Sequence, residues 1–378
     1  MKQKVEPIRI AHVIGKWVGG GVEAVVMNYY RHIDKNKIQF DFIIDEDSNG
    51  IPKEEIESMG GKVILIPPYQ KVIKYHKELK KVLKDGKYRI VHSHINTLSV
   101  FSLFAAKCAG IPVRIAHSHS TTNKQEKKKN LMKQVLRHFS RMFATEYICC
   151  SELAGRWLFG NKEYNKGKVY LINNAIDIEK FEYKEEIRKI KRKELGIKDS
   201  TLVIGHVGRF VEQKNHTFLI DIFEQVHKKN KDTVLLLIGQ GTMEDEIKDK
   251  VRLLGLEKCV KFLGQRKDVY NLYQAFDVFV LPSLYEGLGM VLIEAQCSGC
   301  HCIASNGVPE TAKITPNMSF VKLEESSEIW AINILKTSKQ IDRREFSRYI
   351  REYGYDIFIE NKKLENYYLS KGCYDNAR

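Results

Sequence analysis

Twelve short apolar runs of strand length recur along the chain, and they constrain its fold more than any other feature. In the first half they are Ile8–Ile14, Phe40–Ile44, Val63–Ile66, Ile90–Val91, Val113–Ala116, Tyr147–Cys150 and Val169–Ile172. In the second half they are Leu202–Val207, Val234–Ile238, Val260–Leu263, Val278–Leu281 and Cys302–Ala304. Segments with helical spacing separate most of them, among them Val22–Ile33, Val72–Leu83, Leu98–Ala109, Phe218–His227, Ile247–Leu254, Val269–Phe276 and Met290–Gln296. A strand that is apolar at every position is buried on both faces. Strands of that kind alternating with helices predict parallel sheets covered on both sides. At 378 residues the chain exceeds one ordinary core. The expected class is α/β, with two doubly wound domains in tandem.

The domain boundary is expected after Asn173-Asn174-Ala175-Ile176-Asp177. The charged segment Glu182 to Lys198 that follows reads as linker plus a surface helix opening the second domain. Arg343 to Lys371 has helical spacing and many aromatics, including Tyr349, Tyr353, Tyr355 and Phe358, which indicates packing against a domain. No solenoid-length repeat or low-complexity segment is visible.

Hydrophobic content of 43% is ordinary for a soluble protein, and no apolar run reaches transmembrane length. Met1-Lys2-Gln3-Lys4 leads straight into the strand-like first run, which is too short and too β-like for a signal peptide. The expected location is the cytoplasm. Net charge is +15, and residues 1–185 carry 32 Lys+Arg against 20 Asp+Glu, a balance of 32 − 20 = +12. An anionic partner therefore belongs to the first half, either nucleic acid or an anionic membrane surface. In Lys127–Phe143, Leu131, Met132, Val135, Leu136, Phe139, Met142 and Phe143 fall on one helical face. Lys129, Lys133, Arg137 and Arg141 make a basic stripe on another. The apolar face is expected in the core and the basic face on an anionic membrane. No nucleic-acid reader module is recognisable, so nucleic acid is not expected as a partner.

Cys297-Ser298-Gly299-Cys300-His301 spells the CxxCH of haem attachment, but it also reads as a helix end feeding a strand, where buried cysteine packs well. Packing is the reading adopted, and no metal is predicted there. His92 and His94 follow one strand, His117 and His119 the next. No carboxylate or cysteine accompanies them at close ligand spacing, so no metal is predicted there either. For each, a structural hydrogen bond competes with ligand contact.

The richest stretch is Leu281–Gly299, LPSLYEGLGMVLIEAQCSG. A strand ends at Pro282-Ser283, a glycine turn runs through Tyr285-Glu286-Gly287-Leu288-Gly289, and a helix begins at Met290. Free N–H groups at such a helix start attract phosphate. Glu286 and Glu294 flank it and suit sugar hydroxyls rather than phosphate. Val207-Gly208-Arg209-Phe210 ends an earlier strand, and Lys214 stands before the next helix. Arg209 and Lys214 suit a diphosphate clamp, with a solvated loop as the competing reading. Gly239-Gln240-Gly241 and Gly264-Gln265-Arg266 end two further strands. The Gly15–Gly21 loop follows the first strand without G-x-G-x-x-G spacing, and a plain tight turn competes there.

These residues resemble a retaining glycosyltransferase of the GT-B fold, glycosyltransferase family 4, and the likeness covers nearly the whole chain. Glu286-Gly-Leu-Gly-Met-Val-Leu-Ile-Glu294 matches the family's E-x7-E motif. Gly20-Gly21-Val22-Glu23, His92-Ser93-His94, Asn173 to Asp177, Gly208-Arg209 and Gln213-Lys214 support it, although Asn174-Ala175 replaces the usual Asn-Gly. Among members, the chain is most similar to bacterial capsular and exopolysaccharide enzymes. The resemblance implies two Rossmann-like domains facing a central cleft. They would span 1–182 for the acceptor and 183–354 for the nucleotide sugar, with 355–378 a C-terminal helix returning to the first domain.

The resemblance also implies roles. Arg209 and Lys214 would bind the diphosphate, with the N–H groups of Leu288, Gly289, Met290 and Val291. Glu294 would accept from the ribose and Glu286 would meet the transferred sugar. Gly264, Gln265 and Arg266 would frame the base, and Gly20 and Gly21 would approach from the first domain. Either His117 or His119 would hydrogen-bond the donor sugar. The donor would be a nucleoside diphosphate sugar, UDP-linked by preference, serving as co-substrate with no further cofactor or metal. The acceptor would be a lipid-linked saccharide at the inner membrane face. The rivals are a nucleotide-sugar epimerase of the same fold and a non-catalytic basic membrane scaffold.

Overall fold

The computed structural model describes residues 6–120, 133–137, 139–337 and 342–372. The chain divides into two compact units, Met1–Ala175 with Ile357–Arg378, and Ile176–Asp356.

The first unit holds seven strands: β1 (Ile8–Gly15), β2 (Ile38–Asp45), β3 (Lys62–Ile66), β4 (Ile90–Ser93), β5 (Val113–Ser118), β6 (Glu146–Cys149) and β7 (Val169–Leu171). They lie in the order β3-β2-β1-β4-β5-β6-β7, all parallel. The order reverses direction between β1 and β4, which makes that gap the topological switch. Alternate side chains divide the cores. Ile10, Ile90 and Ile115 face one way, and Ala11, Val91 and Ala116 the other. The first face is covered by the helix Gly21–His32 and by the C-terminal helix Ile357–Gly372, whose Ile357, Leu364, Tyr367 and Tyr368 join that core.

The second unit holds β8 (Leu202–Val207), β9 (Thr233–Ile238), β10 (Val260–Phe262), β11 (Val278–Leu281), β12 (His301–Ser305) and β13 (Met318–Val321). Their order is β10-β9-β8-β11-β12-β13, again parallel, with the switch between β8 and β11. β13 escapes the apolar pattern because Ser319 interrupts it and only β12 pairs with it. The tail is also two helices rather than one. Phe346–Glu352 ends at Gly354, whose φ of 82° no interior helical residue adopts, and Ile357–Gly372 follows. Ile176 and Ile178 belong to the second unit's core, so that unit begins before the expected position 183.

One expectation for the basic segment is overturned. Residues 133–137 and 139 are helical, but Val135, Phe139 and Met142 are exposed instead of buried in the core. Phe143 is packed against the first unit's core, with its ring 4.9 Å from Phe104. The core there is built from Leu103, Leu158 and Phe159. Lys127, Lys129, Leu131 and Met132 lie outside the described residues.

Candidate active site

In the second unit, the loops leaving β8 and β11 flank the switch and are tied together. The Leu284 amide donates to Gln213 O at 2.8 Å, Asn215 Nδ2 to Pro282 O at 3.1 Å, and Gln213 Nε2 to Tyr285 O at 2.9 Å. Asn215 holds φ 57° to turn the chain from the short 3₁₀ turn Glu212–Lys214 into the helix His216–Lys229. This lacing places Lys214 Nζ 2.6 Å from Glu286 Oε1, with both side chains largely buried. The same oxygen accepts from Ser283 Oγ at 2.7 Å. Lys214 and Glu286, predicted for diphosphate and sugar respectively, thus form one preorganised pair. Arg209 stands exposed at the end of β8.

Beyond Glu286, Gly289 takes φ 79° and launches the helix Met290–Cys297. The Leu288 side chain packs into the core while Met290 and Val291 pack at its margin. The first amides of that helix precede its hydrogen-bonded turns and form an anion-friendly start. Glu294 lies one turn in. Its Oε2 accepts from the Tyr273 hydroxyl at 2.7 Å. Burial pushes the Glu294 carboxyl up to about 7, while that hydrogen bond and the Lys214 charge hold it down. Tyr273 is a site residue the sequence did not reveal. It lies in the helix Val269–Ala275, and no local spacing links it to a position 21 residues later.

Gly239 and Gly241 allow the β9 loop to touch its neighbours. A Cβ at Gly239 would stand 2.0 Å from Gly208 O, and one at Gly241 2.4 Å from Phe210 O. Gly264-Gln265-Arg266 leaves β10, at the sheet edge and two strands from β8. Gln265 is exposed, and Arg266 is engaged by Asp268 at 2.8 and 2.9 Å. The fold therefore gathers Arg209, Lys214, Glu286 and the 288–291 amides at one switch, and the 264–266 loop joins the neighbouring β9 loop, where Gly264 O accepts from the Gly239 amide at 2.9 Å. Cys297, Cys300 and Cys302 are buried free thiols, and Cys300 Sγ donates to Tyr273 O at 3.3 Å. The CxxCH run is core packing.

In the first unit, the glycine loop leaves β1 at that sheet's switch. Glu23 folds back to accept from the Val18 amide at 2.9 Å, and a Cβ at Gly20 would press on Glu23 Oε2 at 3.1 Å. Gly21 would meet nothing within 4 Å, so its lack of a side chain leaves open space. The histidines gather more closely than spacing suggested. His12, His92, His94, His117 and His119 occupy alternate positions of β1, β4 and β5 and the residues just past them, all buried. His12 was not singled out by the sequence, although it shares the period-two register of Ile10 and Ile14. His117 lies within β5 and His119 one residue past its end.

Two triples, His12–His92–His94 and His94–His117–His119, bring ring nitrogens within 4.8 Å of one another. His94 is common to both, and each of its nitrogens is already 2.9 Å from a neighbouring imidazole nitrogen. A cation would have to break one of those bonds, so the donor set fits hydrogen-bonded chains better than a metal.

Residues 19–180 match the family described as Glycosyltransferase Family 4, and 187–354 match Glycosyl transferases group 1. EpsF of Bacillus subtilis, named as a glycosyltransferase, is 36% identical over 95% of this chain and 96% of its own. The chain belongs to glycosyltransferase family 4. The UDP-Gal:alpha-D-GlcNAc-diphosphoundecaprenol alpha-1,3-galactosyltransferase of Escherichia coli is 29% identical to this glycosyltransferase over 81% of each chain. Anabaena Alr3699/HepE, solved with UDP and glucose, superposes with a TM-score of 0.78 at 18% identity, covering 96% of this chain and 100% of that one. The fold of this glycosyltransferase is therefore GT-B.

Proposed function

We propose that this glycosyltransferase transfers a sugar from a UDP-sugar to a lipid-linked glycan intermediate, with retention at the anomeric carbon, during assembly of a cell-surface polysaccharide. The observation that carries the reading is the Lys214–Glu286 pair beside the helix start at Met290. It sets a cation, an acceptor carboxylate and free amides at one switch point. Arg209, Lys214 and those amides take the diphosphate, and Glu294, oriented by Tyr273, takes the ribose hydroxyls. One of His117 and His119 is the histidine that hydrogen-bonds the donor sugar. UDP and an undecaprenyl-type acceptor are favoured by the named substrates of the Escherichia coli relative and by the UDP bound in HepE.

In the reaction, the bond between the anomeric carbon and the diphosphate oxygen breaks as the acceptor oxygen bonds on the same face. The acceptor proton passes to the departing diphosphate oxygen. Fixed cations and amide dipoles stabilise the charge that leaves, so no divalent metal is called upon. Membrane contact is favoured by the exposed Val135, Phe139 and Met142 beside Lys133, Arg137 and Arg141. Among the described residues no helix is long and apolar enough to cross a membrane, which suits a peripheral attachment at the inner face.

The test incubates the purified protein with a panel of UDP-sugars and an undecaprenyl-diphosphate-linked saccharide. Expected are acceptor-dependent UDP release, an unchanged anomeric configuration by NMR coupling, and the same rate in EDTA. Sugar interconversion without acceptor, or an inverted linkage, would overturn the proposal.

A further inference from the structure

Asp45 ends β2, and its carboxylate lacks a protein partner. The residue is only 4% exposed, and no donor among the described residues hydrogen-bonds its side-chain oxygens. Those oxygens nevertheless still touch solvent. Its neighbours in the chain are all engaged. Glu46 accepts from Lys71 Nζ at 2.9 Å and Asp47 from Lys16 Nζ at 2.6 Å, on side chains about half exposed. The Trp17 amide donates to Ser48 Oγ at 2.9 Å, and the Glu46 amide to Ile66 O at 2.8 Å. The turn after β2 is thereby pinned to the loop leaving β1 and to the end of β3, which holds Asp45 in a fixed frame.

Alternation along β2 puts Asp45 on the face of Ile43, where Tyr75 and Leu79 of the helix Val72–Asp85 pack. Burial and the Asp47 charge push the carboxyl up to about 6, while Lys16 draws it down.

We propose that Asp45 is an acceptor-binding residue, whose carboxylate takes a hydrogen bond from a hydroxyl of the saccharide that receives the sugar. This role rests on the proposed function and adds to it a residue that selects the acceptor. Asp45 stands at the carboxyl end of a strand next to the β1–β4 switch, where doubly wound sheets bind ligands. A buried carboxylate without donors is costly, and a ligand that supplies one relieves that cost on binding. A metal ion is a poor occupant. No cluster of three ligating groups among the described residues includes Asp45, and Glu46 and Asp47 already have their lysines. Phosphate is repelled by the same charge, and the groups proposed for diphosphate and ribose all belong to the second unit. What fits is an uncharged O–H donor, which a saccharide offers. A site built to pair with one hydroxyl discriminates strongly against a ligand that lacks it, so an acceptor sugar deoxygenated at that position is expected to fail.

The experiment follows the Asp45 carboxyl ¹³C resonance of the full-length protein through a pH titration, alone and with the methyl glycosides of glucose, galactose and N-acetylglucosamine as probes. A donated hydroxyl favours the carboxylate, so at least one probe is expected to lower the midpoint below about 6. A midpoint unmoved by all three would overturn the proposal. Asp45→Asn supplies a kinetic arm. Its KM for the undecaprenyl-diphosphate-linked saccharide is expected to rise about tenfold, with the UDP-sugar KM unchanged. At about pH 8 the variant should also melt no lower than the parent, because the charge it removes is buried without a protein partner. A lower melting point with an unchanged acceptor KM would mark Asp45 as structural and refute the proposal. A rise in the UDP-sugar KM alone would put the residue with the donor and refute it equally. If the parent transfers no sugar, the proposed function fails, while the ¹³C titration still decides whether Asp45 takes a saccharide.

Discussion

If Glu294 takes the ribose as proposed, stability and donor binding should respond oppositely to pH. Its carboxyl is pushed from an ordinary 4.5 up to about 7 by burial. The folded protein therefore holds this proton more tightly than the unfolded chain does. Its contribution to stability is complete below pH 4.5 and is lost as pH rises through about 7. The gap, at about 1.4 kcal/mol per pH unit, amounts to about 3 kcal/mol. Glu294→Gln is neutral throughout and keeps an oxygen for the Tyr273 hydroxyl, so it lacks this loss. The expected result is a variant whose melting point, measured against the parent, gains steadily between pH 4.5 and 7. At about 2–4 °C per kcal/mol for a domain of this size, the gain approaches about 10 °C. UDP affinity of the parent should climb over the same window, because in the proposed site ribose hydroxyls donate to the carboxylate, and Glu294→Gln should bind UDP weakly without that climb. Calorimetric scans and UDP titrations at several pH values read both. A parent–variant melting difference that stays constant from pH 4.5 to 7 would refute the reasoning.

Lys214→Ala strands the Glu286 carboxylate, 8% exposed, without its cation. Breaking such a pair should cost about 3 kcal/mol in urea melts and abolish UDP binding. Adding Glu286→Leu to Lys214→Met should recover most of the stability and none of the transfer; recovered transfer would remove both residues from the site. Reversing Lys133, Arg137 and Arg141 to Glu should weaken sedimentation with phosphatidylserine vesicles about 100-fold, at about 1 kcal/mol per cation. Equal binding by parent and variant would dismiss that face as a docking surface.

Legibility differed from residue to residue. Glu286, Gly289 and Glu294 lie within nine residues of one another, and a strand, a glycine turn and a helix start are local events. Their arrangement could be read from spacing. The placement of Arg209 and Lys214 just past β8 was legible because a strand end and the helix start after it are local events. Tyr273 was not legible, because its hydroxyl meets Glu294 only after two helices pack side by side. The surface exposure of Val135, Phe139 and Met142 was likewise hidden. Periodicity shows that a helix has an apolar face, but not whether the core beneath has room for it.

The sequence by itself determined two parallel-sheet units, the glycine-marked strand ends and the family to which the chain belongs. Each rests on local periodicity or on a contiguous motif. Tertiary structure decided the partners: Lys214 with Glu286, Tyr273 with Glu294, and Tyr368 with His92 across 276 residues of chain. Such pairs depend on strand order and helix docking, which bring together positions that no spacing rule connects.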